Sequence, residues 1–157
     1  MQNRMKEFTM SCEAIDALLH RAQVGRISTI GADGYPYTVA IHFLYENGQI
    51  YFHGLPVGQK LENIIRNPKV CFETDELSGY LLDDLEIACK ADTIYKSVVI
   101  QGDAAVIRQA GKKREILEKI IAKYAPQLLP LPLPENRISG TAVVEIRIRE
   151  ITGKYHK

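Results

Sequence analysis

The chain has no tryptophan, no paired cysteines and no excess of charge of either sign, and each absence excludes something. Lys and Arg number 20 against 19 Asp and Glu, a formal net charge of +1. Without a block of like charges there is no electrostatic footprint for a nucleic acid. No window approaches the ~18 uninterrupted apolar residues of a membrane span. The stretch "MQNRMKEFTM" lacks the apolar core of a signal peptide. Cys12, Cys71 and Cys89 form no C-x-x-C pair and leave an odd count, which fits reduced thiols in a cytoplasm rather than a disulfide framework. The same count disfavours zinc, for which His42 and His53 would have to meet Cys71. No Ser/His/Asp triad is legible. Asp83, Asp84 and Glu86 cluster without metal-ligand spacing and read as a solvated loop.

What is present is an ordinary globular composition, 46% hydrophobic and 25% charged. A chain of 157 residues is expected to form one domain over 1–157 and to bury ~70% of its unfolded surface. Ser11 caps a predicted helix over 12–22, where Ile15, Leu18, Leu19 and Ala22 share a face. "VGRISTIGADGYPYTVAIHFLYENGQIYFHG" reads as a three-stranded antiparallel meander with turns at "GADGYP" and Asn47-Gly48. Its second strand is apolar on both faces: Tyr37, Val39, Ile41 and Phe43 on one, Ala40 and Leu44 with Thr38 and His42 on the other. Both faces are therefore expected to meet protein, a barrel interior on one side and a helix or second subunit on the other.

"KLENIIRNP" is a predicted short helix with Leu61, Ile64 and Ile65 as its buried stripe. "KVCFET" is a fourth strand, 77–94 an irregular excursion of unassigned role, and "SVVIQGDAAVI" a fifth strand. A helix spans 111–124, and the run Lys112, Lys113, Arg114 at its start is expected to be a solvated face. "APQLLPLPLPEN" is too rich in proline for a regular element. In "TAVVEIRIREI", Val144, Ile146 and Ile148 point inward and Glu145, Arg147 and Arg149 outward. The expected fold is mainly β with helices: a six-stranded antiparallel barrel, since closure removes exposed edges.

The stretch from Tyr51 to Val70, "YFHGLPVGQKLENIIRNPKV", passes from strand through two glycines and a proline into a helix. It misses the phosphate-loop spacing, because Gly54 and Gly58 are three residues apart, Gln59 precedes Lys60, and Leu61 replaces Ser or Thr. A simpler anion site remains, made of helix N-terminal amides and Lys60. Periodicity alone fits a solvated lysine equally well. His53 at the strand end is either structural or functional. Arg26, beside Ser28 on a strand face, is either a phosphate ligand or a surface arginine.

Taken together, "GRISTIGADGYPYTVAIHFLYENGQIYFHG", "GQKLENIIRNPKVCFET", "YKSVVIQGDAAVI" and "EITGK" resemble the flavin-binding split-barrel proteins related to pyridoxamine 5′-phosphate oxidase. Within them the 5-nitroimidazole resistance proteins are most similar. The resemblance implies a homodimer of split barrels with FMN at the interface, FAD being the alternative flavin. It implies that Arg26, Ser28 and Thr29 approach the flavin phosphate and ribityl chain, and that Phe52 and His53 lie along the flavin. It makes Lys60 the phosphate ligand, Asn63 a second contact, and Ser97 part of the strand near the ring edge. The implied activity is reduction of a small aromatic or nitroaromatic acceptor, with His53 as the proton donor. A non-catalytic flavin carrier or sensor is the alternative. Two departures stand out: the C-terminal Trp and Arg-x-His of the oxidases are missing, and Gln59 stands where they have arginine. Pyridoxamine phosphate is therefore not the expected substrate, and flavin affinity is expected to be modest.

Overall fold

A computed structural model describes residues 8–82 and 90–157. The first helix, α1 (Cys12–Arg21), starts where Ser11 Oγ accepts the Ala14 amide at 3.2 Å. Strands β1 (Gly25–Ile30), β2 (Pro36–Ile41), β3 (Leu44–Glu46) and β4 (Gln49–Gly54) follow, then helix α2 (Gln59–Arg66). Two long strands come next, β5 (Lys69–Leu81) and β6 (Asp92–Val106). Helix α3 (Ala110–Tyr124), a 3₁₀ turn, the short helix α4 (Glu135–Ser139) and β7 (Ala142–His156) complete the chain. No described helix is long and apolar enough to cross a membrane.

The described strands form one antiparallel sheet of seven, in the order β2-β1-β5-β6-β7-β4-β3. The expected second strand is two strands, broken at His42 and Phe43, which raises the count from six to seven. The expected meander is instead two hairpins, β1–β2 and β3–β4, at opposite ends of the sheet. Those ends are joined by two residues, a link that spans at most roughly 11 Å from Ile41 to Leu44. Laid flat, seven strands would hold the edges about 29 Å apart. The sheet must therefore curl until its edges nearly meet. This is the split barrel: rolled up, yet not closed by a hydrogen-bond ladder between β2 and β3.

The interior holds Ile27, Phe43, Ile50, Phe52, Phe72, Ile100 and Ile146, closed by Leu18 and Leu19 of α1 and by Leu61 and Ile64 of α2. A second cluster lies outside the barrel, where α3 packs Ile116, Leu117 and Ile120 on Leu44, Tyr51 and Val143. The two-faced apolar character expected of residues 37–44 thus divides. The Leu44 end is covered by α3, whereas Thr38, Ala40 and His42 are exposed. At Gly102, where β6 bulges against β7, a Cβ would fall 2.5 Å from the Arg147 carbonyl oxygen, so only glycine fits.

Several expectations fail for physical reasons. Residues 77–81 and 92–94 continue β5 and β6 as a long hairpin, because each finds a ladder partner in the other. Asp83, Asp84, Glu86 and Cys89 lie outside the described residues. Ile65 is 76% exposed; the third inward position of α2 is Asn63. The Lys112–Arg114 run is not a solvated face, since α4 and β7 offer it acceptors: Lys112 reaches Glu145 at 2.6 Å, Lys113 is buried against Ser139, and Arg114 pairs with Glu135. Glu145 points outward but is buried beneath α3, where it also accepts from the Tyr51 hydroxyl at 3.0 Å. Burial pushes its carboxyl up, and the bonds from Lys112 and Tyr51 outweigh that and hold it below the usual range. Burial first, then Glu145, pushes Tyr51 up to about 12.

The corner at residues 42–43 is tied to the end of α3. The Tyr124 hydroxyl accepts the Phe43 amide at 2.9 Å and sits 2.8 Å from the Phe43 and Gln23 carbonyls, one of which takes its proton. Lys123 Nζ donates to the Phe43 carbonyl at 3.1 Å. Tyr124→Phe leaves the Phe43 amide without its acceptor and should cost about 1–3 kcal/mol in urea denaturation. A loss under about 0.5 kcal/mol, ordinary for a surface change, would show that this tie does not hold the corner.

Candidate functional site

The local chain geometry between β4 and α2 explains the site. After Gly54 the chain turns through Pro56 to Gly58, whose φ of 124° is a region that L side chains rarely adopt. Gly58 is also the N-cap of α2 and has no side chain to bond the first turn. Its carbonyl serves the Leu61 and Glu62 amides at 3.0 and 3.1 Å, while Gln59 and Lys60 contribute amides at the positive end of the helix. Leu61 and Ile64 anchor the helix in the barrel core. Asn63, 2% exposed, donates from Nδ2 to Thr29 Oγ1 at 3.0 Å, and Thr29 Oγ1 lies 3.3 Å from the Tyr37 carbonyl. The start of α2 is thereby tied to the β1–β2 hairpin.

Beside it lies a depression of about 320 Å³ between Tyr37, Val39 and Ala40 on β2 and Leu55, Val57, Gly58 and Lys60 on the other wall. No acidic residue among those described lines it. Lys60 is half-buried, its Nζ 4.9 Å from the Phe52 ring centroid, and it makes no hydrogen bond or ion pair with any described residue. Burial lowers its pKa. The pKa of His53 is lowered first by desolvation, then by His42 and Lys60. An unneutralised, partly desolvated lysine beside free helix amides is an arrangement that an anion completes.

The expected site residues fall into three groups. Lys60 lines this depression, and His53, which does not line it, is near enough to feel the Lys60 charge. Phe52, Thr29 and Asn63 lie inside the protein, 1%, 0% and 2% exposed; Phe52 supports Lys60 from below, and the other two position the helix. Arg26, Ser28 and Ser97 belong to the outer face of the sheet. Arg26 is paired with Glu73 at 2.9 Å and Asp75 at 2.5 Å, and these acids, Asp75 first, raise its pKa. Ser28 Oγ is 2.8 Å from Thr38 Oγ1, and Ser97 stands opposite Asp75 in the ladder.

His42 is the residue that sequence reasoning missed. Its ring stacks on Tyr124 at 4.5 Å and 13°, and its charge reaches His53. A signal did exist. The Asn47-Gly48 hairpin sets the register Leu44↔Tyr51, Tyr45↔Ile50 and Glu46↔Gln49, and extending it by two residues places 42 opposite 53.

Since the folded pKa of His53 lies below the unfolded value of about 6.5, protons bind preferentially to the unfolded chain below that pH. The contribution of His53 to stability is thus intact above pH ~6.5 and is lost as pH falls toward its folded pKa. In an NMR titration His53 should titrate below 6.5, and Lys60→Met should move it upward by removing a cation. An unchanged His53 pKa in that variant would show that the two groups do not share a field.

Comparison with known proteins places the fold. Residues 11–155 match the pyridoxamine 5′-phosphate oxidase family. A 5a,11a-dehydrotetracycline/5a,11a-dehydrooxytetracycline reductase of Streptomyces rimosus subsp. rimosus is 31% identical over 99 residues, which span 60% of this chain and 63% of that reductase. A structure described as a 5-nitroimidazole antibiotic resistance protein, from Bacteroides thetaiotaomicron, superposes with a TM-score of 0.79 at 24% identity, over 93% of this chain and 85% of that one. A flavocytochrome from Azotobacter vinelandii superposes with a TM-score of 0.88 at 21% identity, over 99% of this chain and 72% of that one. With nearly the whole chain matched and the rolled seven-stranded sheet in place, the chain belongs to the pyridoxamine 5′-phosphate oxidase family.

Proposed function

We propose that the protein is a cytoplasmic, homodimeric flavin-dependent oxidoreductase that binds FMN and reduces a small aromatic or nitroaromatic acceptor. The observation that carries this reading is Lys60: half-buried, without a carboxylate among the described residues, at the uncapped start of α2. These donors fit a phosphate. Nothing stands within 4 Å of a Cβ built on Gly58, so the approach to the amides is open. The family and the names of the relatives, a reductase, a nitroimidazole resistance protein and a flavocytochrome, support the flavin and the reductive chemistry. When bound, FMN would supply the hydride or electrons for the acceptor.

In this reading Lys60 and the Gln59 and Lys60 amides bind the phosphate, and Asn63 and Thr29 hold α2 in place. Arg26, Ser28 and Ser97 lie on the face that a second subunit covers, where Thr38 and Ala40 are also exposed. His53 holds a proton for the acceptor. The structure changes the premise for that role: burial, His42 and Lys60 depress the His53 pKa in the free protein, so it is not the ordinary imidazole first expected. A bound phosphate would offset Lys60 and return His53 toward ~6.5. In the carrier alternative nothing turns over and His53 transfers no proton.

Lys60→Ala should weaken FMN binding about ten- to a hundredfold, the worth of a charge-assisted contact of ~1.5–3 kcal/mol, and should leave riboflavin binding almost unchanged. Equal losses for both flavins would remove Lys60 as the phosphate ligand. An FAD arm of the same titration decides which flavin is preferred, and sedimentation of the loaded protein at the mass of a single 17.7 kDa chain would refute the dimeric site.

His53→Ala should separate binding from turnover. With FMN bound and reduced by dithionite, reoxidation by a 5-nitroimidazole in stopped flow should slow by roughly 10²–10⁴, as for loss of a general acid. Unchanged rates from pH 5.5 to 8.5 would remove His53 as the proton donor.

A further inference from the structure

Helix α3 opens on three consecutive cations, with no acid in its first turn, an arrangement that the helix dipole opposes. Two are neutralised: Lys112 by Glu145 at 2.6 Å, and Arg114 by Glu135, with Glu118 at 3.7 Å. Lys113 is not. It is only 9% exposed, its sole bond among the described residues is a long one of 3.3 Å from Nζ to the Ser139 carbonyl, and no described carboxylate pairs with it. A buried ammonium without an anion is costly.

Lys113 lines an open cavity of about 740 Å³ bordered by α2, the end of β6 and the corner between α3 and α4. Leu61, Ile64 and Pro68 form one wall and Ala104 and Val106 the other. Among the described residues, Arg108 is the only other charged one that lines it, and no acid does. The cap residue of α3, Gln109, makes no side-chain bond to the first turn, so the helix start adds positive potential there. The volume is that of a small-molecule site. The depression at Lys60 is separate, on the other side of the start of α2, and Leu61 borders both.

We propose that this cavity binds a small carboxylate with an apolar body. The carboxylate pairs with Lys113 at the buried end, and the apolar part lies between α2 and β6. A neutral apolar ligand would leave Lys113 unpaired, and a polyanion would have to bring its remaining charge against alanine, valine and isoleucine. The proposal is independent of the flavin reading.

The test is an NMR titration of the full chain with octanoate and with octan-1-ol as the neutral counterpart. Octanoate should shift amides of residues 104–108 and 139–142 and bind at least tenfold more tightly than octanol. Lys113→Met, which keeps the apolar stem, should remove that preference and leave octanol binding unchanged. Ile65→Asp at the exposed rim should weaken octanoate by a similar factor, and it decides the matter if the Lys113 variant does not fold. Octanoate shifts elsewhere, no shifts at these residues, or equal affinity for acid and alcohol would each overturn the proposal.

Discussion

Two residues decide the shape of this protein. His42 and Phe43 join β2 to β3, strands that lie at opposite ends of a seven-stranded sheet. A link this short leaves no choice but to roll the sheet, and rolling makes an interior for Phe43, Phe52 and Phe72. It also leaves a seam where the ladder stops. The candidate site lies at that seam: β2 supplies one wall and the turn from β4 into α2 the other. The helix tie at Tyr124 and Lys123 holds the link itself, so barrel shape and site geometry depend on the same few atoms.

Charge placement separates paired cations from unpaired ones. Arg26 and Lys60 are equally cationic in sequence, yet Arg26 is paired with Glu73 and Asp75, while Lys60 faces a depression that no described acid lines. The same contrast recurs in α3, where Lys112 and Arg114 have carboxylates and Lys113 has a carbonyl. An exposed ion pair is nearly neutral in energy and in field. A half-buried, unpaired ammonium is neither, because desolvation leaves it with a field that only an anion satisfies. Helix α2 carries Lys60 and borders both sites, its first turn at one depression and its apolar side on the cavity that Lys113 lines.

Polar groups inside the barrel act on the site at one remove. Asn63 and Thr29 are buried and bonded to each other, which spares each the cost of an unsatisfied polar group. Their bond fixes α2 relative to β1 and β2. The resemblance implies that both contact the ligand; in the structure they are buried and bonded to each other, where they set the direction of the helix amides. Phe52 is likewise inside, under Lys60.

What the sequence by itself determined is local. The Ser11 cap, the Asn47-Gly48 hairpin with its positive φ angles, and the glycine turn into α2 with Lys60 at its first turn were all legible, because each depends on residues within a few positions of one another. The family was legible too, as a set of such motifs in order. Only the tertiary structure decided which partners meet across long separations. Glu73 and Asp75 neutralise Arg26 from 47 and 49 residues away. Thr29 and Asn63 meet across 34 residues, and Glu145 finds Lys112 across 33. The break in the second strand escaped the sequence for the same reason. Alternation runs unbroken through His42 and Phe43, since side chains keep their faces when a strand changes neighbours; what changes is the strand that accepts its hydrogen bonds, and sheet order alone decides that.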